Sequence, residues 1–296
     1  MDNCFHIFNH KDLDGVLSLL IFKWFFPKSS ITYRAVTNIN VEVQIEEYIK
    51  NTINPHNVYI LDLALRESFK QFDLPFITFI DHHKRSEEFK GLFSNSKIIH
   101  KEYSSNVKFV YKIFEKTNPV ELSKEQKTLI LLGDDFDSGE NKIKDSYDLN
   151  ILFWALYRNN IGKFLEKYNK GFFGFTEKEK NLILQTKKES INLLKELPLF
   201  KGSLNIEGGY RNVICSHGEH TNTLTLDYMM KKYDSDILFF INTKNEKVSL
   251  KQKKSNNMID LANFAKKYCD GNGHTLSAGG NITDLFMELT KNFKPI

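Results

Sequence analysis

The stretch CFHIFNHKDLDGVLSLLIFKWFF, residues 4–26, decides the fold of this chain because it changes from a strand pattern to a helix pattern within a few residues. Its first part, CFHIFNH, is a short apolar run that predicts a buried strand. Its last part, GVLSLLIFKWFF, predicts a helix. Between them, His10, Asp12 and Asp14 lie in a single turn. The stretch therefore predicts a strand–turn–helix unit, and its turn carries either metal ligands or ordinary polar caps.

Two later segments repeat this arrangement. VYILDLAL, residues 58–65, and PFITFIDHH, residues 75–83, are also short apolar runs that end in polar residues. Because helical patterns such as residues 40–51 separate the strands, the alternation predicts a parallel sheet flanked by helices. In such sheets ligands bind beyond the carboxyl ends of the strands. The polar residues that follow those ends are His10 to Asp14, Asp62, and Asp81 to His83.

The segments that follow are predicted to be helical. EYSSNVKFVYKIFEKTN, residues 102–118, predicts a helix with Ser104 or Ser105 as its N-cap. SKEQKTLILLGDDFDSG, residues 123–139, predicts a helix that begins at Ser123 and is broken by an acidic loop. Apolar residues at helical spacing predict that residues 151–203 form a helical connector.

From about residue 204 the pattern returns to alternating strands and helices. NVICSH, DILFFINT and KVSLKQ are strand-like, and the glycine-rich stretch DGNGHTLSAGG, residues 270–280, follows them. The chain is therefore predicted to be an α/β protein with a parallel-sheet domain over residues 1–150, a helical connector over 151–203 and a smaller α/β domain over 204–296.

The composition indicates a water-soluble protein that works in the cytoplasm. Of 296 residues 41% are hydrophobic, and the net charge is +4 from 41 basic and 37 acidic residues. No uncharged apolar run reaches the ~18–20 residues of a membrane span, and the start lacks the features of a signal peptide. Three scattered cysteines without a CxxC pair indicate neither a disulfide framework nor a thiolate zinc site. So mild a charge is not typical of proteins that bind long nucleic acids.

Taken together, the polar residues at the ends of these elements indicate one shared site. Three strands end in HKDLD, LD and DHH, and a helix ends in GDDFDSG, so five or more carboxylates and up to three imidazoles meet at one sheet edge. Carboxylates crowded into a partly desolvated cleft repel one another unless cations are present. Oxygen and imidazole ligands suit manganese or similar ions, and paired metals typically drive in-line attack on phosphorus. The pattern therefore predicts a two-metal phosphoesterase.

These motifs resemble those of the DHH phosphoesterase superfamily, which is named for the triplet Asp81-His82-His83. The HxDxD motif matches residues 10–14, a single Asp after an apolar strand matches Asp62, and GxxxDTG matches residues 133–139. The last alignment favours Asp137 over Asp134 and Asp135 as a ligand. One branch of the family has its first histidine at the position of Phe8; the RecJ-like branch has it at that of His10, so the sequence is similar to that branch.

The resemblance implies a role for each matched residue. Asp62 would bridge two Mn²⁺ ions, for which Mg²⁺ or Co²⁺ could substitute, and His83 would contact the reacting phosphate as part of a catalytic set with Asp62 and Asp81. A water between the ions would be the nucleophile. The first ion would be held by His10, Asp12 and Asp62, and the second by Asp14, Asp62, His82 and Asp137.

The C-terminal segment resembles the DHHA1 domain, whose signature is roughly GGHxxAAG. Gly273, His274 and Gly279 match that signature and would bind substrate. VSLKQKK, residues 248–254, resembles a segment in which an arginine binds phosphate, and Lys251 or Lys253 stands in its place. The resemblance implies an active site in the cleft between the two domains. Ser104 and Ser105 also resemble a segment near the substrate, although helix capping explains them equally well.

The superfamily resemblance leaves three functions open. The first is a manganese-dependent phosphodiesterase for short single-stranded RNA or DNA, similar to nano-RNases and RecJ. The second is an enzyme for a cyclic dinucleotide or a 3′,5′-bisphosphorylated nucleoside. The third is an inactive DHH-fold protein that binds nucleotides, against which the complete acidic set argues. The chain is expected to act without a membrane partner, either alone or as a homodimer.

Overall fold

The computed structural model describes residues 4–118, 120–206, 208–219, 223–255 and 258–296. Contacts between Cα atoms divide the chain into two compact units, Met1–Lys180 and Asn181–Ile296. The helices of residues 151–180 therefore lie with the first unit. The division at residues 150 and 203 stays a prediction.

The first unit is built on a five-stranded sheet in which every pairing is parallel, in the order β2-β1-β3-β4-β5. This confirms the predicted parallel sheet. The two strands that the sequence did not predict, β2 and β5, lie at the edges, where alternating exposure and short length weaken the apolar signal. The strands are β1 Cys4–His10, β2 Ser30–Val36, β3 Val58–Leu61, β4 Ile77–Asp81 and β5 Lys97–His100.

Helices cover the sheet, and α1 is the most deeply buried of them. Every residue of α1 except Lys23 is buried, because this helix packs against β1 and also against α4 and α5. The helices are α1 Leu13–Phe25, α2 Val41–Asn51, α3 Ser86–Phe89, α4 Asn106–Thr117, α5 Lys124–Asp137, α6 Lys144–Leu152 and α7 Ile161–Tyr168, with 3-10 turns at Glu67–Phe72 and Lys90–Leu92 and a π-helical turn at Phe153–Tyr157. Helix α8, Glu177–Glu196, begins in the first unit and continues into the second.

The structure agrees with the predicted helix caps but differs at the end of α5. Ser105, one of the two predicted caps, is the N-cap of α4, and Ser123 caps α5 as predicted. The acidic residues after Gly133 were expected in a loop, but α5 continues through Asp137. The helix accommodates them because each aspartate has its own polar surroundings, described below.

The second unit contains a mixed seven-stranded sheet in the order β10-β11-β9-β8-β7-β6-β12, in which only β7 and β8 pair in parallel among the described strands. Helix α10 covers one face and α9 the other, so Phe239 of β8 faces α10 and Phe240 faces α9. The elements are β6 Leu199–Ile206, β7 Gly209–Gly218, α9 Thr223–Lys232, β8 Ile237–Asn242, β9 Lys247–Gln252, α10 Leu261–Cys269, β10 Asn272–Gly273, β11 Ser277–Asn281, α11 Asp284–Thr290 and β12 Lys294–Pro295.

Strand β6 corrects one expectation about the connector. The sequence predicted helix through residue 203, but α8 ends at Glu196 and β6 begins at Leu199. Only Leu204 and Ile206 of this strand are buried, so its apolar alternation is too weak to be recognised. None of the helices within the described ranges is both long and apolar enough to cross a membrane.

Candidate metal centre

The candidate site lies at the carboxyl edge of the parallel sheet, where β1 and β3 are neighbours. The chain runs from β1 outward to β2 on one side, and from β3 outward to β4 and β5 on the other. In open α/β sheets a crevice forms where the strand order reverses in this way. The turn after β1 carries His10, Asp12 and Asp14, and Asp62 follows β3 directly. The topology therefore brings these two motifs together.

Asp12 connects β1 to α1 and faces His10. Its Oδ1 accepts a hydrogen bond from the Gly15 amide at 2.9 Å, which makes Asp12 the N-cap of α1. Its Oδ2 lies 2.6 Å from Nδ1 of His10. Gly15 allows this tight turn, since a Cβ there would lie 2.4 Å from the carbonyl oxygen of His10.

Asp14 is held by the first turn of α4. Its Oδ2 accepts from the amide of Asn106 and its Oδ1 from that of Val107, both at 2.7 Å. Amides in the first turn of a helix have no acceptor within the helix and therefore favour a negative charge beside them. The carboxylate is buried, and its Oδ2 also lies 3.6 Å from Nε2 of His82.

Asp62 is the central residue of the cluster of candidate metal ligands that it forms with His10, Asp12, Asp14, His82 and His83. Its Oδ1 lies 3.5 Å from Nε2 of His82 and 4.0 Å from Nδ1 of His83, and its Oδ2 lies 3.9 Å from Nδ1 of His10. Its φ angle is +62°, a left-handed conformation that Asp and Asn tolerate better than most residues. Such backbone geometry away from glycine is concentrated at functional sites.

The two histidines of the DHH triplet are oriented by different partners. Nδ1 of His82 lies 3.1 Å from the carbonyl oxygen of Tyr103; because only a protonated nitrogen can donate to that carbonyl, Nε2 is directed at the carboxylates. Nδ1 of His83 lies 2.7 Å from Oδ1 of Asp81. Asp81 is itself fixed by hydrogen bonds from the backbone amide of His83 and the hydroxyl of Ser86.

The three aspartates at the end of α5 have three different environments. Asp134 accepts from the hydroxyls of Ser104 and Ser105 and pairs with Lys108. Asp135 accepts from the amides of residues 142 and 143 and from the hydroxyl of Ser146, where α6 begins.

Asp137 differs from both, because its Oδ2 lies 3.6 Å from Nε2 of His82. Of the three aspartates, only Asp137 therefore faces the cluster. Gly133, four residues earlier on the same helix face, allows α5 to lie close to α1, since a Cβ there would be 2.5 Å from Leu17.

Carboxylates are crowded together in this cluster, and their burial and mutual repulsion shift the pKa values of its members. Burial raises the pKa of Asp14 and of Asp62 well above the usual range, and repulsion from other carboxylates adds to the effect. Burial likewise raises the pKa of Asp137 to about 6. Burial alone would lower the pKa of His82, but a hydrogen bond to Asp62 and the charges of Asp137 and Asp14 raise it well above the usual value.

These side chains meet the requirements of divalent cations. Within the first unit, three sets of side chains each have ligand atoms within 4.8 Å of one another, and all three share Asp62. Oδ2 of Asp137 is buried and has no hydrogen-bond partner among the described residues, and a buried acceptor normally has one. Mixed carboxylate and imidazole donors suit Mn²⁺ or Mg²⁺. The sets are His10, Asp12 and Asp62; Asp14, Asp62 and His82; and Asp62, Asp81 and His83.

The residues predicted to bind substrate have clear structural roles. Ser105 accepts from the Lys108 amide as the cap of α4, and Ser104 donates to Asp134. Lys251 pairs with Asp227, and Lys253 pairs with Asp234. Both lysines therefore have carboxylate partners within the second unit.

The glycine-rich stretch forms the hairpin of β10 and β11. A Cβ at Gly273 would lie 2.4 Å from the Cα of Ala278, and one at Gly279 would lie 2.9 Å from the carbonyl oxygen of Val248. His274 closes the turn through its amide, which donates to the carbonyl of Ser277 at 2.7 Å. These glycines allow the strands to pair closely, whatever they bind.

Several groups that complete the site were not identified from the sequence. The amides of Asn106 and Val107, the carbonyl of Tyr103 and the hydroxyl of Ser86 each hold a predicted residue in place. Backbone groups leave no signal in residue identity, and Ser86 resembles an ordinary loop serine. Phe8, the alternative position for the first histidine, is fully buried in an apolar cluster.

No family model matches the sequence, and no characterised protein matches it in sequence. Solved structures match its fold. The pGpG-specific phosphodiesterase PggH of Vibrio cholerae matches with a TM-score of 0.55 and 13% identity, over 97% of this chain and 96% of that one. RecJ of Thermus thermophilus in complex with Mn²⁺ matches with a TM-score of 0.54 and 11% identity, over 99% of this chain and 53% of RecJ. The chain thus spans about half the length of that RecJ and has a RecJ-like fold.

Proposed function

We propose that this protein is a two-metal phosphoesterase, with Mn²⁺ as its ion, that hydrolyses phosphodiester bonds of short single-stranded oligonucleotides. The observation that supports it most is the position of Asp62 between two donor sets. One set contains His10 and Asp12, and the other contains Asp14 and His82. A carboxylate with one oxygen toward each set is suited to bridge two cations.

The side chains around Asp62 prepare the site for phosphate chemistry. Divalent cations bound here would polarise a phosphoryl group and acidify a water. Asp14 and Asp12 are immobilised by helix N-terminal amides, so the ligand positions are set before binding. His82 presents Nε2 because Tyr103 holds its other nitrogen. His83, oriented by Asp81, would stabilise charge on the reacting phosphate.

The fold comparison supports a small substrate. The Vibrio cholerae protein, a pGpG-specific phosphodiesterase, matches almost the whole of both chains. The net charge of +4 is also modest, whereas binding along a long strand usually involves a concentrated basic surface. We therefore favour oligonucleotides of about two to five residues, since ligands of that length need few contacts beyond the scissile phosphate.

The proposal extends to the second unit, where His274, Gly273 and Gly279 would contact substrate phosphate and Lys251 or Lys253 would supply positive charge. Lys251 would first have to exchange its carboxylate partner, Asp227, for the phosphate. The proposed domains remain residues 1–150, 151–203 and 204–296.

A second candidate is a phosphoesterase for a cyclic dinucleotide or a 3′,5′-bisphosphorylated nucleoside, because the same donor set would serve either. An inactive nucleotide-binding protein is disfavoured, since every carboxylate of the set is present and oriented. To test this, the protein is incubated with Mn²⁺ and, separately, with a five-nucleotide RNA, a long single strand, a cyclic dinucleotide and a bisphosphorylated adenosine, and the rate of hydrolysis of each is measured. We expect the five-nucleotide RNA to turn over fastest. Equal turnover of the long strand would contradict the proposed length preference, and no turnover would contradict the activity.

A further inference from the structure

An exposed tryptophan marks a second feature of the first unit. Trp154 lies in the π-helical turn Phe153–Tyr157 and is 46% exposed, whereas Phe153 is fully buried. Its Nε1 donates to Oδ1 of Asn150 at 3.1 Å. The guanidinium of Arg158 lies 4.2 Å from the centre of the indole ring. The indole is therefore fixed at its edge and supported by a cation.

The π-helical turn explains how Trp154 comes to be exposed. A turn of this kind is wider than an α-helical turn, and such turns occur frequently at functional sites. Here Phe153 and Tyr157 are both buried, while Trp154 and Leu156 between them are exposed. The wide turn keeps its two ends in the core and directs the intervening side chains outward.

The guanidinium of Arg158 has no carboxylate partner in the part of the chain that the structure describes. Its Nε is buried and lacks an acceptor within those same residues. The contact that its guanidinium does make is with the face of Trp154. A cation without a counter-ion beside an exposed aromatic ring offers both charge and stacking surface to an anionic aromatic ligand.

Trp154 lies in the segment 146–159, and residues at both ends of this segment contact residues close in sequence to the candidate metal ligands. At the far end, Oδ1 of Asn159 accepts from Nζ of Lys11 at 3.4 Å, and Lys11 stands between His10 and Asp12. At the near end, the hydroxyl of Ser146 in α6 donates to Asp135, two residues before Asp137. The segment that carries Trp154 is therefore anchored on both sides by contacts with residues that adjoin the candidate metal ligands in sequence.

We infer that Trp154, supported by Arg158, is a stacking platform for a nucleobase of the substrate. This inference rests on the proposed function, because the base would belong to an oligonucleotide whose phosphate lies at the metal cluster. Stacking on an aromatic side chain accepts any base, since every base has a π-face. The platform would thus strengthen binding of short strands without selecting a sequence, and Arg158 would contact a neighbouring phosphate.

Tryptophan fluorescence tests the platform directly, because the chain has two tryptophans and the other, Trp24, is buried. The probe is a five-nucleotide RNA with phosphorothioate linkages, added to the protein with Mn²⁺. We expect the probe to quench the fluorescence of the wild type but not that of Trp154→Ala, in which only Trp24 emits. Calorimetry should show that Trp154→Ala binds the probe about 5- to 100-fold more weakly, a range set by stacking energies. Trp154→Phe should bind within about 5-fold of wild type because a stacking ring remains.

Leu156→Ala is the matched control, because Leu156 has the same exposure on the same turn; it should bind as wild type does. Equal affinity of Trp154→Ala and wild type, without quenching, would overturn the platform. Self-association that Trp154→Ala abolishes would also overturn it, by showing that a second copy covers the ring. Quenching without hydrolysis of any unmodified oligonucleotide would support the platform and contradict the proposed activity. Normal hydrolysis by Trp154→Ala with unchanged KM would support the proposed activity and contradict the platform.

Discussion

Replacing Asp62 with asparagine should stabilise the metal-free protein and abolish its response to Mn²⁺. Asparagine has nearly the same size and, like aspartate, tolerates the left-handed backbone conformation found at this position. The substitution therefore removes the charge without adding backbone strain. An alanine at a φ angle of +62° would add backbone strain to the loss of charge, so the two effects on stability could not be separated.

The magnitude follows from the spacing of the carboxylates. The ligand atoms of Asp14, Asp62 and His82 lie within 4.8 Å of one another. Two unit charges at that separation repel by about 3.5 kcal/mol at an effective dielectric constant of about 20. The charge of His82 and proton uptake by the carboxylates offset part of this repulsion. We therefore expect Asp62→Asn to raise the free energy of unfolding by about 1–2 kcal/mol in the absence of metal.

The pH of the measurement matters because burial and repulsion raise the pKa of Asp62 and Asp14 in the folded protein. A raised folded-state pKa means that stability is present below the unfolded pKa of about 4 and is lost as the pH rises through the folded value. The stabilising effect of Asp62→Asn should therefore be larger at pH 8 than at pH 5.

Urea denaturation at pH 8, with EDTA or with excess Mn²⁺, measures both effects. Mn²⁺ at 100 times its dissociation constant should stabilise the wild type by about 2.7 kcal/mol and should leave Asp62→Asn almost unchanged. Asp135→Asn is the matched control; it should destabilise the protein, because the carboxylate of Asp135 accepts three hydrogen bonds at the start of α6. The reasoning would be refuted if Asp62→Asn were destabilising in EDTA and if Mn²⁺ stabilised it as much as the wild type.

Three further substitutions test other parts of the structure. Gly15→Ala should cost about 3 kcal/mol of stability and weaken Mn²⁺ binding, because its Cβ would collide with the backbone of His10; Gly91→Ala, which has open space around it, should change stability by less than about 1 kcal/mol in the same urea titration. Asp81→Asn should lower kcat about 10- to 100-fold while keeping the stabilisation by Mn²⁺, since it disturbs His83 and not the shared ligands; equal loss of both would contradict this role. Asp73→Asn should cost about 2 kcal/mol of stability at pH 7, because the amides of Ser94, Asn95 and Ser96 donate to this carboxylate and, despite its burial, hold its pKa below the usual value. Stability that comes from a depressed pKa is lost as the pH falls below about 4. The difference in stability between variant and wild type should therefore shrink in acid denaturation curves.

The parts of the fold that the sequence could predict are those where burial leaves a strong pattern. Strands β1, β3 and β4 are short apolar runs because they lie in the middle of a sheet that is covered by helices. The edge strands β2 and β5 and the partly exposed β6 lack that pattern. Pairing partners stabilise them, and residue identity at one position does not record a partner elsewhere in the chain.

The candidate site shows the same division. Its carboxylates and imidazoles were predicted from their spacing and from the family motifs, and the structure brings His10, Asp12, Asp14, Asp62, His82 and Asp137 together. The groups that hold them are mostly backbone amides and carbonyls, which every residue carries. The family motif favoured Asp137 over Asp134 and Asp135, and the hydrogen bonds of the other two aspartates supply the physical reason. Trp154 was not identified because one exposed aromatic residue has no signature in a helical pattern.

The most direct test of the account is to locate the metal ions. A crystal grown with Mn²⁺ should give two anomalous-scattering peaks per chain, about 3.5–4 Å apart, with Asp62 bonded to both. One peak should also contact His10 and Asp12, and the other Asp14, His82 and Asp137. A single peak, or two peaks that do not share Asp62, would contradict the two-metal centre.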